Sequence, residues 1–340
     1  MEQMREYARS ELAALLPRPQ ADANKYTRGK VVLVAGDARY PGAACLAACA
    51  SQRTGAGYTE VWCAPEAVPI VCGAAASLVV RPWDELAQLA RLERACEQPA
   101  DAAFPIVPND GSLTASSRAL FPDARASHPL AYAVGCGFDA RDEATAALTR
   151  LVLRRAQAPV VVDGGGLAAL SAPEGRDALR ARFVDGLPTV ITPHAGEAAR
   201  LAAPLGLPLD DPARAARLLS LALGATVLLK GPDSYLSDGE TVVRMAEGTP
   251  ALAKAGTGDV LAGMVAALLA EGLDALDACV LAATLHARAG REAARLRTDL
   301  CVIAEDVVEA IPCAVADLLA DGAPPPSSER PSESRDRGDL

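Results

Sequence analysis

Residues 254–263 read Lys254-Ala-Gly-Thr-Gly-Asp259-Val-Leu-Ala-Gly263, a glycine turn that runs straight into an apolar helix. Gly256, Thr257 and Gly258 supply the turn, and Val260 to Ala270 supply the apolar run. A turn opening a helix aims several unpaired backbone N–H groups at one point, with the positive end of the helix dipole behind them. Such a turn is an anion cradle. A carboxylate at its lip, here Asp259, lies close to a bound phosphate and can face a substrate hydroxyl as a general base. The plainer reading is that Asp259 merely caps the helix.

Composition narrows the setting. A chain of 340 residues is long enough for one large α/β domain. A formal charge of −10, with no basic patch interleaved with aromatics, argues against nucleic acid. The opening residues, Met1-Glu-Gln-Met-Arg-Glu-Tyr7, hold no apolar signal-peptide core, and the run Val260–Ala270 is too short to span a bilayer. A soluble, cytoplasmic protein without membrane contacts is expected. The nine cysteines are scattered and form no Cys-x-x-Cys pair, so reduced thiols are expected and no metal site. Among 33 basic residues only Lys25, Lys30, Lys230 and Lys254 are lysine, each beside a glycine-rich motif. A compact ammonium serves phosphate as a point charge where a guanidinium needs more room.

The order of elements predicts a parallel sheet. Lys30-Val-Val-Leu-Val-Ala-Gly36 reads as a buried strand, followed by a small-residue helix Ala43–Thr54 and a strand Tyr58–Cys63. Further strands are predicted at Ala131–Val134, Val160–Asp163, Thr189–Thr192 and Thr226–Lys230, with helices at Glu143–Arg155 and Pro212–Leu223 between them. Ser234–Leu236 and Thr241–Arg244 flank a Ser-Asp-Gly turn and read as a hairpin. Helices at Gly258–Ala270, Leu273–Arg295 and Ala304–Leu319 complete the domain. Residues 1–24 read as a leader with a helix Glu2–Leu16, and 25–320 as the catalytic domain. The stretch Trp83–Pro129 reads as one helix, Asp84–Glu97, and a surface excursion with Pro99, Pro105, Pro108, Pro122 and an Asn-Asp-Gly turn at 109–111. The Pro/Ser/charged tail 321–340 is expected to be disordered.

In open α/β sheets, ligands bind beyond the carboxyl ends of the strands. The strand ends here lead into Gly36-Asp37-Ala-Arg-Tyr-Pro-Gly42-Ala43-Ala44, then Gly135-Cys-Gly137-Phe, Asp163-Gly-Gly-Gly166, Thr192-Pro-His194-Ala-Gly-Glu197 and Lys230-Gly231. Glycines commonly turn strands into helices, so each string alone is bland. Together they place the unusual polar chemistry on one rim.

Gly-Thr-Gly-Asp-Val-Leu-Ala-Gly at 256–263 resembles the anion-hole signature of the ribokinase-like superfamily, in the wording of the ADP- or ATP-dependent NAD(P)H-hydrate dehydratases. Thr192-Pro-His-Ala-Gly-Glu197 is similar to that family's Thr-Pro-His-Pro-Gly-Glu, with one change. Residues 36–44, closed by Gly55-Ala-Gly57, resemble its first substrate loop, and Leu229-Lys-Gly231 its nucleotide-contacting strand end. The resemblance covers roughly residues 25–318. It implies a three-layer α/β/α sandwich with a mostly parallel central sheet, which uses Mg²⁺ with ADP or ATP to dehydrate hydrated NADH and NADPH. It further implies that Ala43, Gly137, His194 and Asp259 touch the hydrated nicotinamide nucleotide. Lys230, Gly231, Pro232, Asp233, Ser234, Gly256, Thr257 and Gly258 would hold the adenine nucleotide, with Asp259 as the base. His194 has a second reading as the cap of the helix that begins near Glu197. A homo-oligomer is expected, and any epimerase partner would be a separate protein.

Three strings depart from the family pattern. Gly135-Cys-Gly-Phe-Asp139 stands in place of Gly-Pro-Gly-Leu-Gly, and Asp163-Gly-Gly-Gly-Leu-Ala168 in place of Asp-Ala-Asp-Ala-Leu-Asn; Lys254 replaces an asparagine. These changes keep two other readings open: a kinase of a vitamin-precursor alcohol on the same fold, and a degenerate nucleotide-binding copy with weak activity.

Overall fold

The structure is a computed structural model that describes residues 4–97, 120–122, 124 and 128–321. Pro99, Pro105, Pro108, the turn at 109–111 and the tail beyond Asp321 lie outside the described residues.

Short runs of Val, Leu and Ile become strands buried on both faces, as parallel sheets require. They are β1 (Lys30–Val34), β2 (Tyr58–Cys63), β3 (Val79–Pro82), β4 (Leu130–Val134), β5 (Val160–Val162), β6 (Thr189–Ile191), β7 (Thr226–Leu229), β8 (Ser234–Ser237) and β9 (Val242–Met245). They form one sheet in the order β3-β2-β1-β4-β5-β6-β7-β8-β9. The first seven strands of that order are parallel, and β8 and β9 close it as an antiparallel hairpin. Strand order reverses between β1 and β4, whose register pairs Val31 with Ala131 and Val34 with Val134. A crevice opens at the carboxyl end of such a reversal.

Helices cover both faces and make three layers. On one face lie α4 (Asp84–Glu97), α5 (Glu143–Arg155), α6 (Pro173–Val184), α7 (Ala195–Ala202) and α8 (Pro212–Leu223). On the other lie α2 (Pro41–Thr54), α9 (Thr257–Ala270), α10 (Ala275–Arg297) and α11 (Ala304–Asp321). The small residues of α2 have a packing reason. Ala44, Ala47, Ala48 and Ala50 are all fully buried, and α9 meets α2 backbone to backbone. A Cβ at Gly263 would stand 2.1 Å from the Ala47 carbonyl oxygen. The all-round apolar character of Val260–Ala270 follows, because every side of α9 is covered. None of the helices among the described residues is long and apolar enough to cross a membrane.

The N-terminal segment differs from its sequence reading. Its helix, α1, spans only Arg9–Leu15, and it packs on the domain with Leu12, Ala13 and Leu16 buried. Before it, the Arg5 amide donates to the Val242 carbonyl at 2.9 Å, so the chain shields the β9 edge. Tyr7 Oη donates to Asp277 at 2.6 Å. Three elements have no forerunner in the sequence reading: α3 (Val68–Ala74), β3 and α6. The strand β3 ends in Arg81-Pro82 and is only half-buried, as an edge strand can be.

Arg182 on α6 ties several loops together. Its Nε donates to Thr189 Oγ1 at 2.8 Å, and its two terminal nitrogens to the carbonyls of Leu153, Ala156, Ala158 and Pro188. Arg182→Leu would take this donor from the buried carbonyls of Leu153, Ala156 and Ala158, at about 1–3 kcal/mol for each that water cannot reach, while the Pro188 carbonyl keeps the Val160 amide. The expected result is a loss of about 3 kcal/mol or more, read as a lower urea midpoint with an unchanged slope. An unchanged midpoint would show that the guanidinium is dispensable.

Candidate active site

Four neighbouring strands deliver one polar side chain each to the same rim. Cys136 follows β4, Asp163 follows β5, Thr192 follows β6 and Lys230 follows β7. Asp163 is buried at their centre. Its Oδ1 accepts from Thr192 Oγ1 at 2.5 Å and from Lys230 Nζ at 2.7 Å. Its Oδ2 faces the thiol of Cys136, 3.9 Å away. Glu197 on α7 lies 4.0 Å from Lys230 Nζ. Burial alone would lower the Lys230 pKa, but Asp163 and Glu197 hold it above the ordinary value, so the ammonium stays charged.

The cradle meets this row from the helical side. Gly256 is the N-cap of α9 at φ +92°, a left-handed conformation that suits glycine. Asp259 is therefore the third residue of the helix and not its cap, which removes the plainer reading of that residue. A Cβ at Gly258 would stand 3.3 Å from Lys230 Nζ, so the ammonium lies over the mouth of the cradle. Burial pushes the Asp259 carboxyl up to about 7, and the Asp163 carboxylate adds to the rise. The Cys136 thiol, Lys230 and the residue's own backbone amide pull the other way. A base half-ionised near neutral pH is well matched to taking a proton there.

The substrate-side residues converge on the same crevice. The amides of Gly36 and Asp37 donate to the carbonyls of Cys136 and Gly137 at 2.8 and 3.0 Å, which pins the first loop to the β4 loop. A Cβ at Gly137 would lie 3.0 Å from that of Ala43, so these two predicted contacts are neighbours. Leu46 on α2 reaches the position a Cβ of Gly256 would take, and this joins the substrate loop to the cradle. Gly231 and Pro232 are exposed in the turn after β7, beside the half-buried Asp233 and Ser234. Asp233 Oδ2 accepts from Arg244 Nε at 3.0 Å.

His194 has a definite structural task. Its Nδ1 accepts from the amides of Gly196 and Glu197 at 3.0 and 3.3 Å, and Glu197 Oε2 accepts from the His194 amide at 2.8 Å. This reciprocal pair caps α7. More than half of the side chain, 56%, remains exposed, and Nε2 lies 3.5 Å from Glu197 Oε1.

The lysine reading needs correction at two of four positions. Lys30 opens β1, at the opposite edge of the sheet, and pairs with Glu60 at 2.6 Å. Lys25 lies beside it, with its ammonium over the rings of Tyr26 and Tyr58. Lys254 donates to the Leu300 carbonyl at 3.0 Å. Lys230 is the lysine held inside the constellation. Thr192 and Cys136 stand within strings that the sequence singles out, but neither by itself reads there as a site residue. Asp163 was visible as a retained carboxylate.

Cys136, Asp163 and Asp259 bring one donor atom each within 4.8 Å of one another. The Lys230 ammonium pairs with the Asp163 carboxylate of this group at 2.7 Å.

The glycine run 164–166 also has a cause. A Cβ at Gly165 would stand 2.1 Å from the Phe138 carbonyl oxygen, so the β4 loop rests directly on this run. Two of the departures from the family pattern are thus in contact and fit each other.

A family model described as NAD(P)H-hydrate dehydratase matches residues 31–313. The ADP-dependent (S)-NAD(P)H-hydrate dehydratase of Xanthomonas campestris is 32% identical over 300 residues, covering 87% of this chain and 91% of that protein. The bifunctional NAD(P)H-hydrate repair enzyme of Salinibacter ruber is 33% identical over 325 residues. The alignment covers 94% of this chain but 54% of that enzyme, so the chain spans about half of the bifunctional protein. Among solved structures, the ADP/ATP-dependent NAD(P)H-hydrate dehydratase from Bacillus subtilis, co-crystallised with ATP/Mg²⁺, superimposes with a TM-score of 0.73. It covers 94% of this chain and 100% of its own at 23% identity. A ribokinase-like superfamily protein from Enterococcus faecalis gives 0.67 at 21% identity, covering 94% of this chain and 97% of its own. Both show the same α/β/α fold.

A guanidinium at position 230 is bulkier and differently directed than the ammonium. Lys230→Arg is therefore expected to fold, with an overpacking penalty of about 1–3 kcal/mol. It should lose at least half of the melting-temperature rise that millimolar ADP or ATP with Mg²⁺ gives the natural protein. Equal thermal shifts in the two proteins would show that Lys230 does not set the nucleotide's position.

Proposed function

Because the chain belongs to the NAD(P)H-hydrate dehydratase family, we propose that it restores hydrated NADH and NADPH to the dihydronicotinamide at the expense of an adenine nucleotide. One observation supports this reading above the rest: a carboxyl held near pKa 7, Asp259, stands on the first turn of a helix whose amides form an anion cradle, with Lys230 over its mouth. Phosphoryl transfer asks the protein for positioning and charge neutralisation rather than covalent chemistry.

The nucleotide enters as its Mg²⁺ complex. Its phosphates lie against the amides of the turn 255–259 and beside Lys230, with the turn 231–234 alongside. The nicotinamide ring occupies the crevice between Ala43 and Gly137, with His194 at its edge. Asp259 takes the proton from the ring hydroxyl as that oxygen attacks the terminal phosphorus, and ADP leaves as AMP, or ATP as ADP. The poor hydroxyl leaving group has become a phosphate ester. The ring-nitrogen lone pair then expels inorganic phosphate, and loss of a proton from the adjacent ring carbon restores the double bond. The same amides and ammonium stabilise charge on the moving phosphoryl group. The protein works in the cytoplasm as a homo-oligomer.

The deciding assay mixes the protein with chemically hydrated NADH and Mg²⁺ with ADP or ATP. Dihydronicotinamide absorbance should return with one phosphate released per turnover. A phosphorylated product that persists would identify a kinase, and nucleotide binding without turnover would identify a degenerate copy.

Asp259→Asn is expected to stay folded, bind nucleotide and turn over about a hundredfold more slowly or worse, since loss of a general base commonly costs that much. In the natural protein the rate should rise with pH through about 7 as Asp259 ionises, and the asparagine variant should lose that limb. The sign for stability is opposite. A carboxyl raised in the folded state favours the fold below its unfolded value near 3.8, and that contribution is lost as pH rises through about 7. At pH 8 the variant should therefore melt no lower than the natural protein. A fully active variant would place the base elsewhere.

A further inference from the structure

Between the base and the buried ion pair lies one thiol. Cys136 is 1% exposed, and its sulfur, one oxygen of Asp163 and one of Asp259 all lie within 4.8 Å of one another. Asp163 Oδ1 is fully engaged by Thr192 and Lys230, so only Oδ2 is turned to the thiol, at the long separation of 3.9 Å. The thiol carries one proton and has two carboxylates within reach. It is kept as a thiol, because burial and the nearby carboxylates of Asp259 and Asp163 raise its pKa well above the ordinary value. The S–H here lies toward Asp163 Oδ2, which Thr192 and Lys230 leave open, and the same thiol is close enough to Asp259 to favour its ionised form.

We propose that Cys136 is a positioning residue for the base: its S–H donates to the ionised Asp259 carboxylate, aims that carboxylate into the crevice, and swings to Asp163 Oδ2 once Asp259 has taken the substrate's proton. This inference rests on the reading of Asp259 as base given above. The backbone restrains the sulfur from both sides, because the Cys136 carbonyl accepts from Gly36 and the β4 loop rests on the glycine run 164–166. The other groups around Asp259 are few. Lys230 and Asp163 face it from the ends of β7 and β5, and Glu197 on α7 acts through Lys230. The His286 ring on α10, kept neutral by burial with a pKa near 4, backs the Thr257 turn. The helices α2 and α11 meet the turn through Leu46 and Ala304.

The test compares Cys136→Ala and Cys136→Ser with the natural protein. In kcat/KM against pH, the acid limb of the alanine variant should move up by about one pH unit, which is what one hydrogen bond to a charged group supplies. The serine variant, which keeps a donor, should stay at the natural midpoint or below it. A merely structural cysteine would lower rates equally at every pH in the alanine variant, and that outcome overturns the proposal. A second measurement needs no turnover. The infrared S–H band of Cys136, isolated as the natural protein minus Cys136→Ser, should move to lower frequency between pH 5.5 and 8.5, and Asp259→Asn should abolish the move. A band indifferent to pH overturns the proposal even where activity is high. A moving band in a protein without turnover upholds the thiol–carboxylate link and refutes the assigned function instead.

Discussion

Lys230 and Asp163 meet at 2.7 Å in a nearly closed setting, and the site is arranged around that contact. Taking two charges out of water costs several kcal/mol each, and their attraction offsets this only with good geometry and further hydrogen bonds. Thr192 on Asp163 and Glu197 near Lys230 supply part of that support. Such a pair adds little net stability by itself. What it achieves is position: it spans the ends of β5 and β7 across β6 and fixes a cation where a phosphate anion arrives. It also leaves a carboxylate close enough to Asp259 to raise that group toward neutral pH. One ion pair thus both holds a cation beside the cradle and raises the neighbouring Asp259 carboxyl.

This contact falls at the crevice because of strand order. The reversal between β1 and β4 brings the first loop, 36–44, and the β4 loop together, and β5 to β7 continue the rim on one side only. Ala43 and Gly137 therefore gather at the reversal, and the turn 231–234 lies beyond β7. The helix α9 lies against β4, β1 and α2, so its N-terminus is aimed between the two halves. Its tight seat depends on alanines in α2 and on Gly263, where one added methyl group would meet a carbonyl oxygen at 2.1 Å. Packing beneath the site decides where the amides point.

Much of this was legible in the chain. The strands came from unbroken Val/Ile/Leu runs, α5 and α8 from their place between successive strands, and the cradle from Gly256-Thr-Gly-Asp259. The elements that escaped lack those signals. The edge strand β3 is four residues, half-buried, and ends in Arg-Pro. The helix α6 is rich in arginine and opens with Pro-Glu-Gly. At the site, local motifs could show that Lys230 and His194 are special but not in what way. The cap that His194 makes on α7 lies within the local string and is one of its two readings. That Lys230 reaches back to Asp163 depends on how β5, β6 and β7 lie side by side, which no local window contains. The two lysines near the N-terminus illustrate the converse. Their glycine neighbours suggested phosphate chemistry, yet Lys30 stands at the start of a strand whose end forms the site.

Two of the three departures from the family pattern, at 135–139 and 163–168, form one structural unit. The bare glycines at 164–166 leave room for the Phe138 carbonyl, and that seat holds the β4 loop low enough for Cys136 to face Asp163 and Asp259. A second carboxylate at position 165 would have no space, because even a Cβ there stands 2.1 Å from that oxygen. Fewer carboxylates in the crevice also mean less repulsion of a phosphoryl group arriving at the cradle. These two changes fit each other and leave Asp163, Lys230 and Asp259 gathered in one closed group.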